Sequence, residues 1–304
     1  MDHLLKRGLK LSHLRLMAAI AASGQIGTAA RDLGITQPAA SRLLAETEAI
    51  IGQPMHLRAG RGVALTPAGQ ALARRAGRIM LEINEAARDI GEVSDGSSGH
   101  VRIGSVTGPA MDRVLPALRA ARLALPGVTV EVDVATSDLL GEQLLAGRID
   151  FALARLPDGH DPALFDIRIL GDEPVCLVVR RGHRLAQEPT LNPGMLMDYD
   201  WVLPGPGTIL RRAVLARLSD LGLREPPGRL ATSSFLLTLA MLQQSNAIAP
   251  LANAVAASFA QTADAAYAVL PIDLGIRVAP YGLITRAASR LTPAAERIRA
   301  LIAS

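Results

Sequence analysis

Ile26-Gly27-Thr28-Ala29-Ala30-Arg31-Asp32-Leu33-Gly34-Ile35-Thr36-Gln37-Pro38-Ala39-Ala40-Ser41-Arg42-Leu43-Leu44-Ala45-Glu46-Thr47 contains two short helical runs joined at a single glycine. The first covers about 27–33. The second covers about 37–49, capped by Thr36, with Pro38 in the first turn where no internal N–H partner is needed. Two helices that touch across so tight a turn need a small residue at the contact, a glycine in the turn and an apolar inner face. Ala30, Gly34, and then Ile35, Ala40 and Leu43 meet those needs. The opposite face presents Thr36, Gln37, Pro38, Ala39, Ser41 and Arg42 at the start of the second helix. A helix-turn-helix inserts that end into the major groove, where Gln suits adenine, Arg suits guanine or phosphate, and hydroxyls suit either. Alanine and glycine at these spacings also occur in ordinary helical hairpins, so the flanking sequence has to decide.

On the N-terminal side, Ser12–Ala22 reads as a helix capped by Ser12 and stopped by Gly24. On the C-terminal side, Gly52-Gln53-Pro54 breaks the second helix and Met55–Leu65 forms a ribbon turning at Gly60-Arg61-Gly62, with Arg58 and Arg61 offered to DNA. Residues 1–78 hold 11 Lys and Arg against 4 Asp and Glu, whereas the rest of the chain holds 21 against 24. A basic head on a slightly acidic body points to a polyanionic partner for the head. Together, the ribbon and the charge favour the helix-turn-helix.

Thr66-Pro67 opens a long helix with apolar residues at Leu72, Ala76, Ile79, Ile83, Ala86, Ile90 and Val93, alternately four and three apart. A stripe of two positions in seven is narrower than a globular core face, which favours a coiled-coil dimer seam over packing within one domain. Ser94–Gly99 reads as a polar, glycine-rich linker. Beyond it, strand-like runs (Val101–Ser105, Val128–Val134, Ile149–Ala154, Val175–Arg180) alternate with helix-like runs (Met111–Arg122, Asp138–Ala146, Thr208–Leu221). Such alternation predicts parallel sheets flanked by helices. The expected class is therefore α/β, with an N-terminal all-α winged helix-turn-helix and a long linker helix.

Ala29–Arg42 resembles the helix-turn-helix of LysR-type transcriptional regulators, and Leu65-Thr66-Pro67-Ala68-Gly69 resembles that family's junction between wing and linker helix. Leu144–Leu153 is similar, more loosely, to a helix-to-strand junction of the family's sensing domain, and the stretch from Arg229 to Phe235 bears a weak likeness to regulators of sugar-uptake and aromatic-acid genes. The resemblance implies a two-lobed effector domain like a periplasmic binding protein. It divides the chain into a DNA-binding domain (1–66), a linker dimerisation helix (67–95) and an effector domain (96–304), with subdomain I at about 100–174 and 275–304 and subdomain II at about 175–274. The implied partners are double-stranded promoter DNA, a small-molecule effector, a second copy in a homodimer or homotetramer, and RNA polymerase. The chain departs from the family at Met55-His56, where the family usually has Leu-Phe.

Carried over position by position, the effector would meet Thr107, Ser137, Thr208, Ser233 and Ser234, hydroxyls at helix starts that suit a small anion such as a carboxylate. Serine and threonine are common N-caps in any protein, so each assignment competes with a purely local role. Arg155 is either an anion partner in the cleft or half of a surface ion pair, and the surface pair is expected. Cys176 is alone, in an apolar run, and is expected to be inert packing. The six histidines lack metal-ligand spacing, and no nucleophile elbow or phosphate loop is present, so no metal, cofactor or enzymatic activity is expected. The start of the chain does not resemble a secretory signal and no run of ~20 apolar residues occurs, which implies a cytoplasmic protein with no membrane contact. An enzyme with a DNA-binding appendage is the alternative, and a transported-solute binding protein the third reading.

Overall fold

The computed structural model describes residues 3–59, 62–91, 98–157, 159–226, 228–260 and 265–303, and the chain divides into two units, Met1–Gly91 and Glu92–Ser304. The first unit contains α1 (His3–Lys6), α2 (Leu11–Ser23), α3 (Ile26–Asp32), α4 (Gln37–Ile51), the hairpin of β1 (His56–Ala59) and β2 (Gly62–Leu65), and α5 (Pro67–Gly91).

Helix α2 starts one residue before the expected cap. Its N-cap is Lys10, whose N–H donates to His13 Nδ1 at 2.9 Å, so an imidazole and not the Ser12 hydroxyl closes the first turn. The turn between α3 and α4 requires its glycine: Gly34 sits at φ +67°, and the Ile35 N–H beyond it reaches back to Ala30 O at 3.0 Å. Ala30, Ala40 and Leu44 are buried with Leu16, Met17, Ile20 and Met55 in one core. Leu43 is only partly buried, and Ile35 is not a plug: it is 37% exposed, and Leu33, on the other side of the glycine, packs on the core instead.

Thr66 fastens the hairpin to α5. Its N–H donates to Met55 O and its hydroxyl to Pro54 O, while the same hydroxyl accepts from the Gly69 N–H. Gly69 has to be glycine, because a Cβ there would lie 2.0 Å from Met55 O. The α5 seam is split by the packing. Leu72 and Ala76 are drawn toward the unit's own core, whereas Ile79 and Ile83 are 41% and 43% exposed and Ala86 is exposed. The side chain of Ile90, and Val93 altogether, lie outside the described residues, as do Arg61 and most of the expected 94–99 linker. Ser98 and Gly99 are already strand, paired with Gly127 and Val128.

The second unit is two-lobed. Lobe I holds β3 (Ser98–Ser105), α6 (Thr107–Pro109), a π turn (Ala110–Val114), α7 (Leu115–Ala124), β4 (Gly127–Val134), α8 (Ser137–Leu145) and β5 (Phe151–Ala154). β6 (Phe165–Arg180) then crosses into lobe II, which holds β7 (Trp201–Leu203), α9 (Ile209–Asp220), β8 (Gly228–Ala231), α10 (Phe235–Gln244), β9 (Ala249–Ala252), α11 (Asn253–Ala260) and β10 (Tyr267–Val269). β11 (Arg277–Arg286) returns to lobe I, followed by α12 (Pro293–Ala303). In lobe I, β3 runs parallel to β4 and β5, β11 pairs antiparallel with β5, and β6 pairs with β11 up to Pro174. From Val175 onward β6 pairs instead with β9 and β10. The register slips twice between Val278 and Gly282, where the two crossing strands pass from one lobe to the other. Lobe I buries Val101, Ile103, Phe151 and Ile298; lobe II buries Leu177, Val179, Trp201 and Val214.

Candidate nucleic-acid interface and ligand site

The first turn of α4 is held by Thr36, whose side chain accepts from the Ala39 N–H at 3.4 Å. Pro38 costs nothing there, because the N–H it lacks would have had no partner within the helix. Burying Ala40 and Leu44 turns the other face outward, and Thr36, Gln37, Pro38, Ser41 and Arg42 are all exposed, with Ala39 half-buried among them. Thr36, Gln37, Pro38, Ser41 and Arg42 thus form one accessible face at the positive end of a 15-residue helix, suited to both phosphates and base edges. Arg31, on the preceding helix, is anchored by donating to the Thr28 hydroxyl. Arg58 lies on β1, paired across the hairpin with Val63.

At the foot of the hairpin, Glu48 Oε1 accepts from the Met55 N–H at 2.8 Å and lies 2.9 Å from His56 Nδ1. Burial alone would raise the Glu48 carboxyl, but the Met55 amide and the His56 ring outweigh it and hold it below the usual carboxylate range. The departure at position 56 therefore brings a polar ring to a partner and not into an apolar core.

In the second unit the sequence-predicted ligand residues fall into two groups, one at the strand ends of each lobe, the usual place for ligands on open α/β sheets. In lobe I, the loop after β3 is tied to β5 by Val106 N–H to Leu153 O, and the loop after β4 is tied to β3 by Ala135 N–H to Ser105 O. Thr107 is exposed there, while Ser137 is buried and its hydroxyl accepts from the Arg155 N–H at 3.2 Å. In lobe II, Thr208 caps α9 by accepting from the Arg211 N–H and gives its own hydrogen to Gly205 O at 2.8 Å. Ser234 caps α10 through the Leu237 N–H, and Ser233 is exposed beside it. A bond from Thr232 N–H to Leu203 O brings this turn alongside the one that precedes Thr208.

Arg155 corrects the surface assignment. It is buried; its Nε donates to Ala279 O at 2.6 Å and its guanidinium pairs with Glu173. Both partners lie on the crossing strands, so the pair pins β6 and β11 to the end of β5. The Glu173 carboxylate also lies against Gly108, where a Cβ would collide with it. Nearby, the buried Tyr281 faces Arg113, and that hydrogen bond, with Asp112 at 3.5 Å, holds the guanidinium firmly in its charged form. A cavity of about 300 Å³ opens beside the crossing, lined by Pro174, Cys176, Asn253, Asp273 and Arg277 among others, and it includes none of the predicted ligand residues. Cys176 is half-buried and burial pushes its thiol up to about 11, so it is a poor nucleophile. Among the described residues no group of three or more His, Cys, Asp or Glu could hold a metal ion, and no helix is long and apolar enough to cross a membrane.

A family model described as the LysR substrate binding domain matches residues 94–304, and one described as a bacterial regulatory helix-turn-helix protein of the lysR family matches residues 11–70. The HTH-type transcriptional regulator GbpR of Rhizobium radiobacter is 45% identical over 248 residues, 81% of this chain and 82% of its own length. The GbpR of Azospirillum brasilense is 33% identical over 293 residues, covering 96% of this chain and 85% of that one. Among solved structures, CbnR, a LysR family transcriptional regulator, aligns with a TM-score of 0.54 at 25% identity, over 97% of this chain and all of the other. A full-length OxyR variant from Pseudomonas aeruginosa aligns with a TM-score of 0.64 at 19% identity, over 97% of this chain and 93% of that one, a likeness of fold.

Proposed function

The chain belongs to the LysR family of DNA-binding transcriptional regulators, and from that premise we propose that it sits on double-stranded promoter DNA as a homodimer or homotetramer and alters its grip when a small-molecule effector binds its second unit. The observation that carries this reading is the exposed face of Thr36, Gln37, Pro38, Ser41 and Arg42 on a basic head. Ile79 and Ile83, exposed on the outer part of the α5 seam, support a second copy as the partner of that helix, with Ala86 and Ile90 continuing the stripe and Leu72 and Ala76 joining it to the unit's own core. The divisions at residues 66 and 95 belong to the same proposal, as do a non-enzymatic role, a cytoplasmic location and contact with RNA polymerase.

The effector would bind among Thr107, Ser137, Thr208, Ser233 and Ser234, and small carboxylic acids are the first class to test because helix starts favour anions. The test is a filter-binding titration on a promoter fragment, with and without candidate acids, for the parent, Arg42→Ala and Thr208→Val. Arg42→Ala is expected to weaken binding by about 1–3 kcal/mol if it makes a paired base contact. Thr208→Val is expected to leave effector-free binding intact and to shift the effector titration several-fold, as the loss of about 1 kcal/mol of capping and hydrogen bonding implies. Unchanged DNA affinity in Arg42→Ala removes this residue from the interface, and loss of effector-free binding in Thr208→Val refutes the division of labour.

A further inference from the structure

The hairpin next to the recognition helix is fastened to it by a side-chain pair at the position where this chain leaves the family pattern. Glu48, on the last turns of α4, takes both the Met55 N–H and the His56 ring on one oxygen, at 2.8 and 2.9 Å. His56 is the first residue of β1, opposite Leu65 of β2, and Thr66 anchors the same corner from the other side. The direction of the hairpin relative to α4 is thus set by a three-point corner: Glu48, His56 and Thr66. Arg58 follows two residues along the strand.

We propose that His56 is a positioning residue for DNA recognition, one that holds the wing against the recognition helix through Glu48 and grips best when its imidazole is charged. The proposal rests on the DNA-binding role of the family. A neutral imidazole carries one N–H and divides between two tautomers, of which only the Nδ1–H form can donate to Glu48. The charged ring always presents Nδ1–H, and it adds the attraction of a second charge to a bond that the Glu48 carboxylate already assists. Acid therefore increases both the fraction of molecules clasped and the strength of the clasp.

The groups around the ring leave Glu48 as the one that responds. On the α4 side the charged partner is Glu48 itself; beyond the Gly52 turn lies Arg7, already donating to Ala49 O. The facing residues of β2 and the start of α5, Leu65 through Gln70, carry no titratable group. His13 also touches α4, but in another arrangement: its Nδ1 accepts from the Lys10 N–H and its Nε2 faces Glu46 at 3.4 Å. Its Nδ1 is thus occupied as an acceptor within α2, and it touches neither Glu48 nor the hairpin in these bonds, which makes it the control imidazole.

The test uses the full-length chain and the tightest duplex it selects from a random-sequence pool. Affinity by fluorescence anisotropy, and hydrogen exchange of the Met55 amide without DNA, are both followed from about pH 5.5 to 8.5, the interval in which imidazoles change charge. In the parent, affinity is expected to rise several-fold toward acid and Met55 exchange, corrected for its intrinsic rate, to slow. His56→Phe, which restores the family residue and its bulk, should lose both trends. His56→Asn, whose amide nitrogen can stand where Nδ1 stands, should hold the alkaline affinity of the parent with a flatter profile. His13→Gln should retain the acid trend. If His56→Phe, shown to be folded by circular dichroism, keeps the parent's affinity profile, or if Met55 exchange responds to acid while affinity does not, the positioning role is overturned. A parent that selects no duplex would instead count against the DNA-binding role itself, and the exchange measurement would still decide whether the clasp exists.

Discussion

Arg155→Met removes the cation from a pair whose side chains are only 8% and 12% exposed, leaving the Glu173 carboxylate without its partner against Gly108. At that burial, water can do little to replace the lost partner, and breaking one side of such a pair costs about 3–5 kcal/mol. Glu173→Leu leaves the guanidinium uncompensated by a similar amount, although Arg155 keeps its bond to Ala279 O. The double variant removes both charges, and apolar replacement of a buried pair is often close to neutral. Loss of the Ala279 bond occurs with or without Glu173, so it cancels in the cycle. The double variant should therefore be at least about 3 kcal/mol less destabilised than the sum of the singles, at the upper limit of usual coupling energies. A solvent-screened pair would give about 1 kcal/mol or less. Urea unfolding followed by circular dichroism, and by fluorescence of the single buried Trp201, measures all four corners of the cycle. Additivity within about 0.5 kcal/mol would refute the buried pair as the fastener of the crossing strands.

Ile83→Asp should dissociate the oligomer proposed above and abolish operator binding with it, because a charge in an apolar seam is costly; sedimentation showing an intact oligomer would refute the seam. His183 is buried with Nδ1 accepting from the Leu185 N–H and Nε2 donating to Asn246 O, and burial lowers its pKa. Its folded value lies below the unfolded one of about 6.5, so its contribution is whole above that pH and is lost as pH falls toward the folded value. His183→Asn, which keeps an acceptor for Leu185, should flatten the stability profile below about pH 6.5, as denaturant titrations at several pH values would reveal. Gly69→Ala should destabilise the first unit by at least about 1–3 kcal/mol, since the clash is with backbone and not with a side chain that can turn aside; an unchanged melting temperature would contradict it.

The head was legible because its determinants are local. Ala30, Gly34 and Thr36 lie in one short stretch and act largely on its own two helices, and the structure places each in its expected role, with shifts of one or two residues at the helix ends. Ser12 was misassigned as a cap because the better acceptor, His13, came from inside the helix, a pattern outside the usual capping residues. The crossing strands were not legible. β6 was expected only from Val175, since Asp166, Arg168, Gly171 and Asp172 interrupt the apolar pattern of its first half. That half lies at a sheet edge, where polar and small residues are tolerated. Arg155 was placed at the surface because its partners are remote in sequence: Glu173 lies 18 residues away and Ala279 lies 124 away. A lone arginine at a strand end carries no sign of either.

The return of β11 to lobe I has a consequence for the order in which the protein can be made. A chain emerging from the ribosome delivers β3, β4 and β5 first, yet the strand that joins β5 to β6 in the finished sheet is β11, and α12 closes the core over it. Until residue 286 is out, the edge of β5 is unpaired and Leu283, Ile298 and Ile302 are missing from the lobe that started first. Lobe II runs almost without interruption from Val175 to Val269 and can close while lobe I still waits. Domains generally fold as units, the N-terminal ones first, so the nascent lobe I has to be kept from pairing its open edge with another chain while the residues between Ala154 and Arg286 are added.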